Sequence, residues 1–341
     1  MENMINHLNI NNFKSIGRLK LVDCRRINLF IGYPNVGKSN VLEALSLFSL
    51  PYLNEGENIN KFIRIENRNE LLFDQSNSFC CIESNLEKIE LSIDYDLKIS
   101  REASNWKQDR TFSQELDLLN CTAAFYANYP TNNYLADYGN VMRYIFKEKN
   151  EWKQTGSHVL NPPFGENIVD ILSNNPDMSA VNSWIKDEFA KNGLEYVLDI
   201  ISSTIKMQQR LDKDRIKQLP YSLIADTLRR VIFFKTAIAS NKNAVLLFEE
   251  PEAHAFPPYI RNITQDMIDA KTNQFFIVTH SPFIVNNFLE YADLRKEVAI
   301  YLFDFKNNQT TVKRLTDEEM DEVYNYGIDL FFNIESLLRD E

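Results

Sequence analysis

Residues 32–39 read Gly32-Tyr33-Pro34-Asn35-Val36-Gly37-Lys38-Ser39, a complete GxxxxGK(S/T) phosphate loop. The pattern has that meaning only between a strand and a helix, and both flanks comply. The apolar run Ile27-Asn28-Leu29-Phe30-Ile31 predicts a buried strand, and Asn40-Val41-Leu42-Glu43-Ala44-Leu45 predicts a helix. In such a loop the backbone N–H groups wrap the phosphates of a nucleotide. Lys38 then reaches the β and γ phosphates and the Ser39 hydroxyl holds Mg²⁺. Gly32 and Gly37 allow a tight turn and a close approach to the ligand. Nucleotide contacts are therefore expected at Gly32, Asn35, Val36, Gly37, Lys38, Ser39 and Asn40. Glycine is scarce, 9 of 341 residues, so two at this spacing carry more weight than in a glycine-rich chain.

Composition narrows the remaining classes. The length allows one large core or two smaller ones. A net charge of −11 argues against unspecific coating of nucleic acid. A local basic patch stands at Lys206, Arg210, Lys213, Arg215 and Lys217; the interleaved Asp212 and Asp214 make a solvated helix face the favoured reading of it. The four cysteines, Cys24, Cys80, Cys81 and Cys121, lack CxxC spacing and read as reduced thiols, neither zinc ligands nor disulfides. The polar, Asn-rich start carries no signal-peptide pattern, and no apolar run approaches the ~18 residues of a membrane span. A cytoplasmic location with no membrane partner is expected.

Along the chain, Leu8 to Ser15 alternates as a strand, and the helix after the loop is expected from Ser39 to about Leu50, where Pro51 stops it. Residues 52–75 are polar and irregular. Ile89 to Leu97 alternates strictly and predicts one strand of an antiparallel layer. Residues 101–205, rich in Asn, Tyr and Trp, read as an inserted, mostly helical subdomain. In it Ser179 caps a helix that ends at Asn192-Gly193, with Val181, Trp184, Ile185 and Phe189 on one face. The aromatic content of that region marks either a partner surface or an ordinary core. Regular α/β pattern returns with a helix at Asp226–Ser240 and buried strands at Ala244–Phe248 and Phe275–Thr279. A hairpin, Glu297–Phe305 with Thr310–Leu315, turns at Lys306-Asn307-Asn308. The expected division is an N-terminal lobe at 1–100, the insert at 101–205 and a C-terminal lobe at 206–341.

A phosphate loop hydrolyses nothing by itself; it needs an acid for the metal and a group that activates water. Glu249 and Glu250 follow the apolar run Ala244-Val245-Leu246-Leu247-Phe248, at the strand end where a parallel sheet presents its ligands. The first would hold Mg²⁺ and the second would act as general base. His280 follows the next apolar strand, placed to donate to the γ-phosphate or hold the water.

Asn12-Phe13-Lys14-Ser15, the phosphate loop, Phe248-Glu249-Glu250-Pro251-Glu252-Ala253-His254 and Thr279-His280-Ser281-Pro282, in that order, together resemble an ABC-type ATPase head. The branch is that of RecF-like and SMC-like proteins and the overcoming-lysogenization-defect (OLD) ATPases. The resemblance covers about 1–50 and 217–290. It implies an α/β P-loop NTPase of ABC-head type: a mixed, largely parallel sheet flanked by helices, an antiparallel β layer and an insert. It implies Walker A at Gly32–Ser39, Walker B at Ala244–Glu249, a catalytic glutamate at Glu250 and a switch histidine at His280, with Lys38 serving catalysis. It places Lys14 near the base or phosphates and makes Gln75 either a Q-loop metal ligand or an ordinary loop glutamine. Two positions depart from the pattern. The Walker B acid is Glu249 where most ABC ATPases have Asp, although the OLD-like branch often has Glu there, with the extra methylene altering only metal reach. The signature motif, expected at Tyr221–Arg230, carries Ala225-Asp226-Thr227 where Ser-x-Gly is usual, which puts the contact in trans in doubt; Arg229 or Arg230 either compensates or lies on the helix surface.

The resemblance further implies ATP and Mg²⁺ as cofactors and a homo-oligomer, at least a dimer, with nucleotide between subunits. Residues 281–341 are too few for the Toprim nuclease that OLD proteins carry after this point, so an effector is expected on a separate chain. The run around Ala225–Arg230 and Glu249–Tyr259 is similar to the ATPase component of PARIS-type anti-phage systems, which holds a Toprim-containing nuclease toxin. The ATPase of Septu-type defence, paired with an HNH nuclease, is a near alternative. A RecF-like DNA-binding repair ATPase and a nucleotide-gated interaction protein with little hydrolysis are the other readings.

Overall fold

The computed structural model describes residues 4–53, 57–93, 97–103, 106–115, 118–124, 140–148 and 152–339; for 103–124 and Ala292 only the backbone is described. In chain order the elements begin with β1 (Leu8–Phe13), β2 (Ile16–Leu21), β3 (Ile27–Gly32), α1 (Lys38–Ser46), β4 (Phe79–Ser84), β5 (Glu87–Ile93), β6 (Leu97–Ala103), β7 (Trp106–Glu115), β8 (Leu118–Ala124) and β9 (Val141–Tyr144). Next come α2 (Ile168–Asn174), α3 (Ser179–Ala190), β10 (Glu195–Asp199), β11 (Thr204–Arg210), β12 (Ile216–Pro220) and α4 (Asp226–Ser240). The last are β13 (Val245–Glu249), α5 (Pro257–Asp269), β14 (Gln274–Val278), α6 (Pro282–Leu289), α7 (Ala292–Arg295), β15 (Val298–Lys306), β16 (Gln309–Arg314), α8 (Asp317–Asn325) and α9 (Ile334–Arg339).

The chain forms two compact units: Met1–Arg143 with Asn243–Glu250 and Gln274–Glu341, and Tyr144–Lys242 with Pro251–Asn273. The expected boundaries at 100/101 and 205/206 fall inside β6 and β11, where a cut would sever a hydrogen-bonded ladder.

The first unit holds two sheets. One is antiparallel, in the order β2-β1-β4-β5-β6-β7-β8. The other runs β16-β15-β3-β14-β13-β9; β15, β3, β14 and β13 pair in parallel, and β16 returns antiparallel beside β15. The sequence separates the two kinds of strand. All six positions of β3 and all five of β14 are buried, as a strand covered on both faces requires. β5 alternates, burying Ile89, Leu91 and Ile93 on one face only. The β15–β16 hairpin turns at Asn307 and Asn308, with φ of 53° and 61°, the pair of left-handed residues that a tight hairpin turn favours. Phe30 sits at the centre, its ring 5.0 Å from Phe303, 5.8 Å from Tyr301 and 5.9 Å from Phe276.

The second unit packs α2, α3, α4 and α5 with a three-stranded antiparallel sheet, β10-β11-β12. α4 spans Asp226–Ser240 as the sequence predicts.

Several expectations need correction. Residues 101–205 are not mostly helical among the described residues: β7 and β8 extend the antiparallel sheet, and β9 and β10 follow. Lys206 to Lys217 is a β-hairpin and not a helix face; Asp212 accepts from the Asp214 and Arg215 amides and closes the turn. Ser179 is the first helical residue of α3 and caps nothing; the nearby cap is Asn175, which accepts from the Asp177 amide. The helix after the phosphate loop ends at Ser46, and a 3-10 turn from Leu47 to Tyr52 carries Pro51 within it. The strand expected at Ile89–Leu97 is the end of β5 and the start of β6, with 94–96 outside the described residues. Cys24, Cys80 and Cys81 are free thiols, and the Cys121 side chain lies outside the described residues. Among the described residues no helix is long and apolar enough to cross a membrane.

Phe30→Ala removes a fully buried ring with three aromatic neighbours. Denaturant unfolding is expected to show a loss of about 3–5 kcal/mol.

Candidate nucleotide site

β3 delivers the phosphate loop and α1 leaves it. Gly37 has φ +97°, and a Cβ there would lie 2.0 Å from Thr310 Oγ1 and 2.8 Å from Ser15 Oγ. A Cβ on Gly32 would lie 2.7 Å from the Phe303 carbonyl oxygen. Both glycines are thus fixed by close approach, and Gly37 by its dihedral as well. Asn40 Nδ2 donates to Ser15 Oγ at 2.7 Å, and Ser15 shares a 2.6 Å hydrogen bond with Thr310. These contacts tie the loop to the β1–β2 turn and the β15–β16 hairpin. Asn35 is exposed with φ +63°, and Val36 is buried in the core. Lys38 is buried, and its ammonium donates to the carbonyls of Gly32 and Tyr33, both at 2.8 Å. Burial draws its pKa down to about 8, against the pull of Glu250 and Glu249.

Parallel pairing aligns Glu249 at the end of β13 with Val278 of β14. The Glu249 carboxylate is shared. Ser39 Oγ donates to Oε1 at 2.5 Å, Arg64 Nη2 lies 3.4 Å from the same oxygen, and Arg143 Nη2 donates to Oε2 at 2.8 Å. Burial raises the Glu249 pKa, but Arg143, the Ser39 hydroxyl and Arg64 outweigh it, so the group lies below the ordinary carboxylate value. One helical turn beyond Ser39, Glu43 is fully buried. It accepts from Lys14 Nζ and, at 2.6 Å, from Arg64 Nε, with Arg143 Nη1 4.0 Å away. Lys14 also donates to the Arg64 carbonyl at 2.6 Å; burial lowers its pKa, with Glu43 opposing.

Glu250 turns the chain sharply after β13, with φ +45°, and its amide donates to the Val278 carbonyl at 2.9 Å. Its carboxylate is half-exposed and lies 3.6 Å from His280 Nε2. Burial and the Lys38 charge lower the His280 pKa, with Glu250 opposing, so the imidazole is neutral at pH 7.

The expected residues Lys38, Ser39, Glu249, Glu250, His280 and Asn40 thus meet within the first unit, and Lys14 joins them through Glu43. Gln75 is exposed in the turn that Asn12 holds by accepting from the Asp74 amide at 2.6 Å; no hydrogen bond or ion pair links it to Ser39 or Glu249. In the second unit, Asp226 opens α4, and its carboxylate accepts from Arg230 Nε at 2.9 Å and Arg229 Nη2 at 3.4 Å. Thr227 Oγ1 donates to the His254 carbonyl. Glu43, Arg64 and Arg143 escaped the sequence reading. Glu43 was findable as the residue four after Ser39 on one helix face; Arg64 and Arg143 carry no motif.

Ser39 and Glu249 are hard oxygen donors side by side. They suit Mg²⁺, which takes one or two protein oxygens and completes its shell with phosphate and water. Among the described residues no cluster of three or more His, Cys, Asp or Glu is placed to hold a metal alone.

Known proteins resemble this chain in part of its sequence and in its fold. Residues 168–286 match the family described as "AAA domain, putative AbiEii toxin, Type IV TA system". The match includes Glu249, Glu250 and His280 and begins after the phosphate loop. A curated relative, uncharacterized protein MJECL10 of Methanocaldococcus jannaschii, is 28% identical over 171 residues, 49% of this chain. The chain spans 65% of that relative's length. An SMC head bound to the C-terminal winged-helix domain of ScpA aligns over 92% of this chain and 99% of its own, with 15% identity and a TM-score of 0.50. A Pyrococcus furiosus SMC head with an extended coiled coil, bound to the C-terminal domain of ScpA, aligns over 94% and 98%, with 14% identity and a TM-score of 0.50. The fold is that of an SMC- and ABC-type ATPase head.

Two measurements probe the loop. Titration with a fluorescent ATP analogue is expected to show affinity falling as pH rises through about 8, since Lys38 is an ammonium only below its pKa. Lys38→Arg, charged throughout, should flatten that fall; a flat wild-type profile would remove Lys38 from the binding step. Gly37→Ala is expected to abolish binding in the same titration.

Proposed function

We propose that this chain is an ABC-type ATPase that binds ATP with Mg²⁺ and hydrolyses it. The observation that carries the reading is the contact of Ser39 with Glu249 at 2.5 Å, with Glu250 and His280 paired at 3.6 Å beside the same strand ends. The loop amides and Lys38 hold the β and γ phosphates. Ser39 and Glu249 would hold the metal, which would neutralise charge developing on the phosphates. Glu250 accepts a proton from the water whose oxygen attacks the γ phosphorus, while the bond to the β–γ bridging oxygen breaks. Neutral His280 orients that water or donates to the γ-phosphate.

The half-exposed Glu250 leaves a face for a second copy to cover, so the active form is read as a homo-oligomer, at least a dimer. The ends of α4 and its Asp226-Thr227 segment are the candidate covering surface. Beyond ATP turnover, the chain is read as a scaffold or sensor that controls a separate nuclease or toxin effector in anti-phage defence. The partner protein held by the SMC heads supports the reading of a separate partner, and the toxin–antitoxin system in the matched family description supports a defence setting. DNA gains no support from the basic hairpin: Lys206 pairs with Asp199 at 2.6 Å and Arg215 with Asp212 at 2.5 Å.

Glu250→Gln is expected to bind ATP, lose at least about 10²-fold in phosphate release and accumulate as the nucleotide-bound oligomer on size-exclusion chromatography. Normal turnover in that variant would remove Glu250 as the base. Tagged protein from phage-challenged cells should bring down a nuclease or toxin chain, and a clean single-component preparation would sink the effector reading.

A further inference from the structure

ATP hydrolysis assigns no task to Arg143, a buried charge of the site. Arg143, on β9, is only 2% exposed, and burying a guanidinium is costly unless its donors are matched. Nη1 donates to the Phe62 carbonyl, and Nη2 donates to Glu249 Oε2 at 2.8 Å. The other oxygen of the same carboxylate faces α1, where Ser39 Oγ donates to Oε1 at 2.5 Å. The two oxygens therefore have separate owners, one on β9 and one on α1.

This division matches the length of residue 249. A glutamate has one more rotatable bond than an aspartate and carries its carboxylate about 1.5 Å farther from the backbone. Unrestrained, that extra torsion scatters the carboxylate among rotamers. An aspartate at 249 would withdraw from one owner or the other. Arg143 is poorly placed to follow, because its strand lies beside β13 in the sheet and Nη1 is committed to Phe62. Fully buried Glu43, 4.0 Å from Arg143 Nη1, adds a second negative charge that keeps the guanidinium in place.

We propose that Arg143 is a positioning residue for Glu249: by holding Oε2 it presents Oε1 at Ser39. It acts through Glu249. The proposal rests on the reading of Ser39 and Glu249 as the metal side of the nucleotide site.

The test is binding of a fluorescent ATP analogue, in Mg²⁺ and in EDTA, to full-length wild type, Arg143→Met, Arg143→Lys, Glu249→Asp and the double variants. Arg143→Met should lose about tenfold in affinity in Mg²⁺ and keep wild-type affinity in EDTA, the size typical of groups that orient a metal ligand. Arg143→Lys should recover part of the loss. Glu249→Asp should lose as much as Arg143→Met, and the two together no more than either alone. Equal losses in Mg²⁺ and EDTA, or no loss in either, would overturn the role. If Arg143→Met does not fold, the Arg143→Lys/Glu249→Asp pair decides, and additive losses there count against the proposal. Failure of the parent reading looks different: wild-type protein would itself bind with no Mg²⁺ dependence, or not at all.

Discussion

The parallel backbone ladder joining β13, β14 and β3 is the interaction on which the site depends. Its register sets Glu249 opposite Val278, and Val278 opposite Phe30. The segments that follow those residues, Glu250, Thr279-His280 and the phosphate loop, must then emerge at one edge of the sheet. Parallel strands present ligands at their carboxyl ends, and here three such ends come from distant parts of the chain. Their side chains need no long reach because the hydrogen-bonded sheet has already brought them together. Burial of β3 and β14 along their full length makes a slip of register costly, since each slipped strand would carry its apolar residues away from their neighbours.

Much of this was legible in the sequence because strand ends and glycines follow local rules. The apolar runs at Val245 and Phe275 are continuous and that at Ile27 is broken only by Asn28, which marks two-faced burial; the first two are followed by polar residues that would be unusual in a core. Gly37 could be read from its motif; the structure adds that Thr310, far away on a hairpin, leaves no room for any Cβ there. The failures have a common cause. Solvated strands such as β11 and β12 carry polar residues whose alternation is easily taken for a loop or a helix face, since the signal that fixes a strand is its pairing partner. The same limit hid Arg64 and Arg143, whose meaning comes only from what they touch.

Around Glu249 the chain concentrates three cations, Lys14, Arg64 and Arg143, on two carboxylates, Glu43 and Glu249. Such a cluster is weak evidence of stability, because the desolvation of its members offsets much of their attraction. Its value lies in specification. Each carboxylate oxygen of Glu249 has a donor of fixed origin, and Glu43 is closed off from water altogether. The surplus positive charge also suits a place where a phosphate chain is to be received.

Glu250 shows what the site demands of the backbone. A left-handed conformation in a residue with a Cβ costs about 1–2 kcal/mol, a cost glycine escapes. The neighbouring acid at 249 keeps an extended strand, so the two adjacent carboxylates depart from the simple alternation of a regular strand. Evolutionary pressure for a tougher fold, acting alone, would replace Glu250 with glycine. Laboratory selection for heat resistance without selection for turnover should therefore erode glutamate at this bend early.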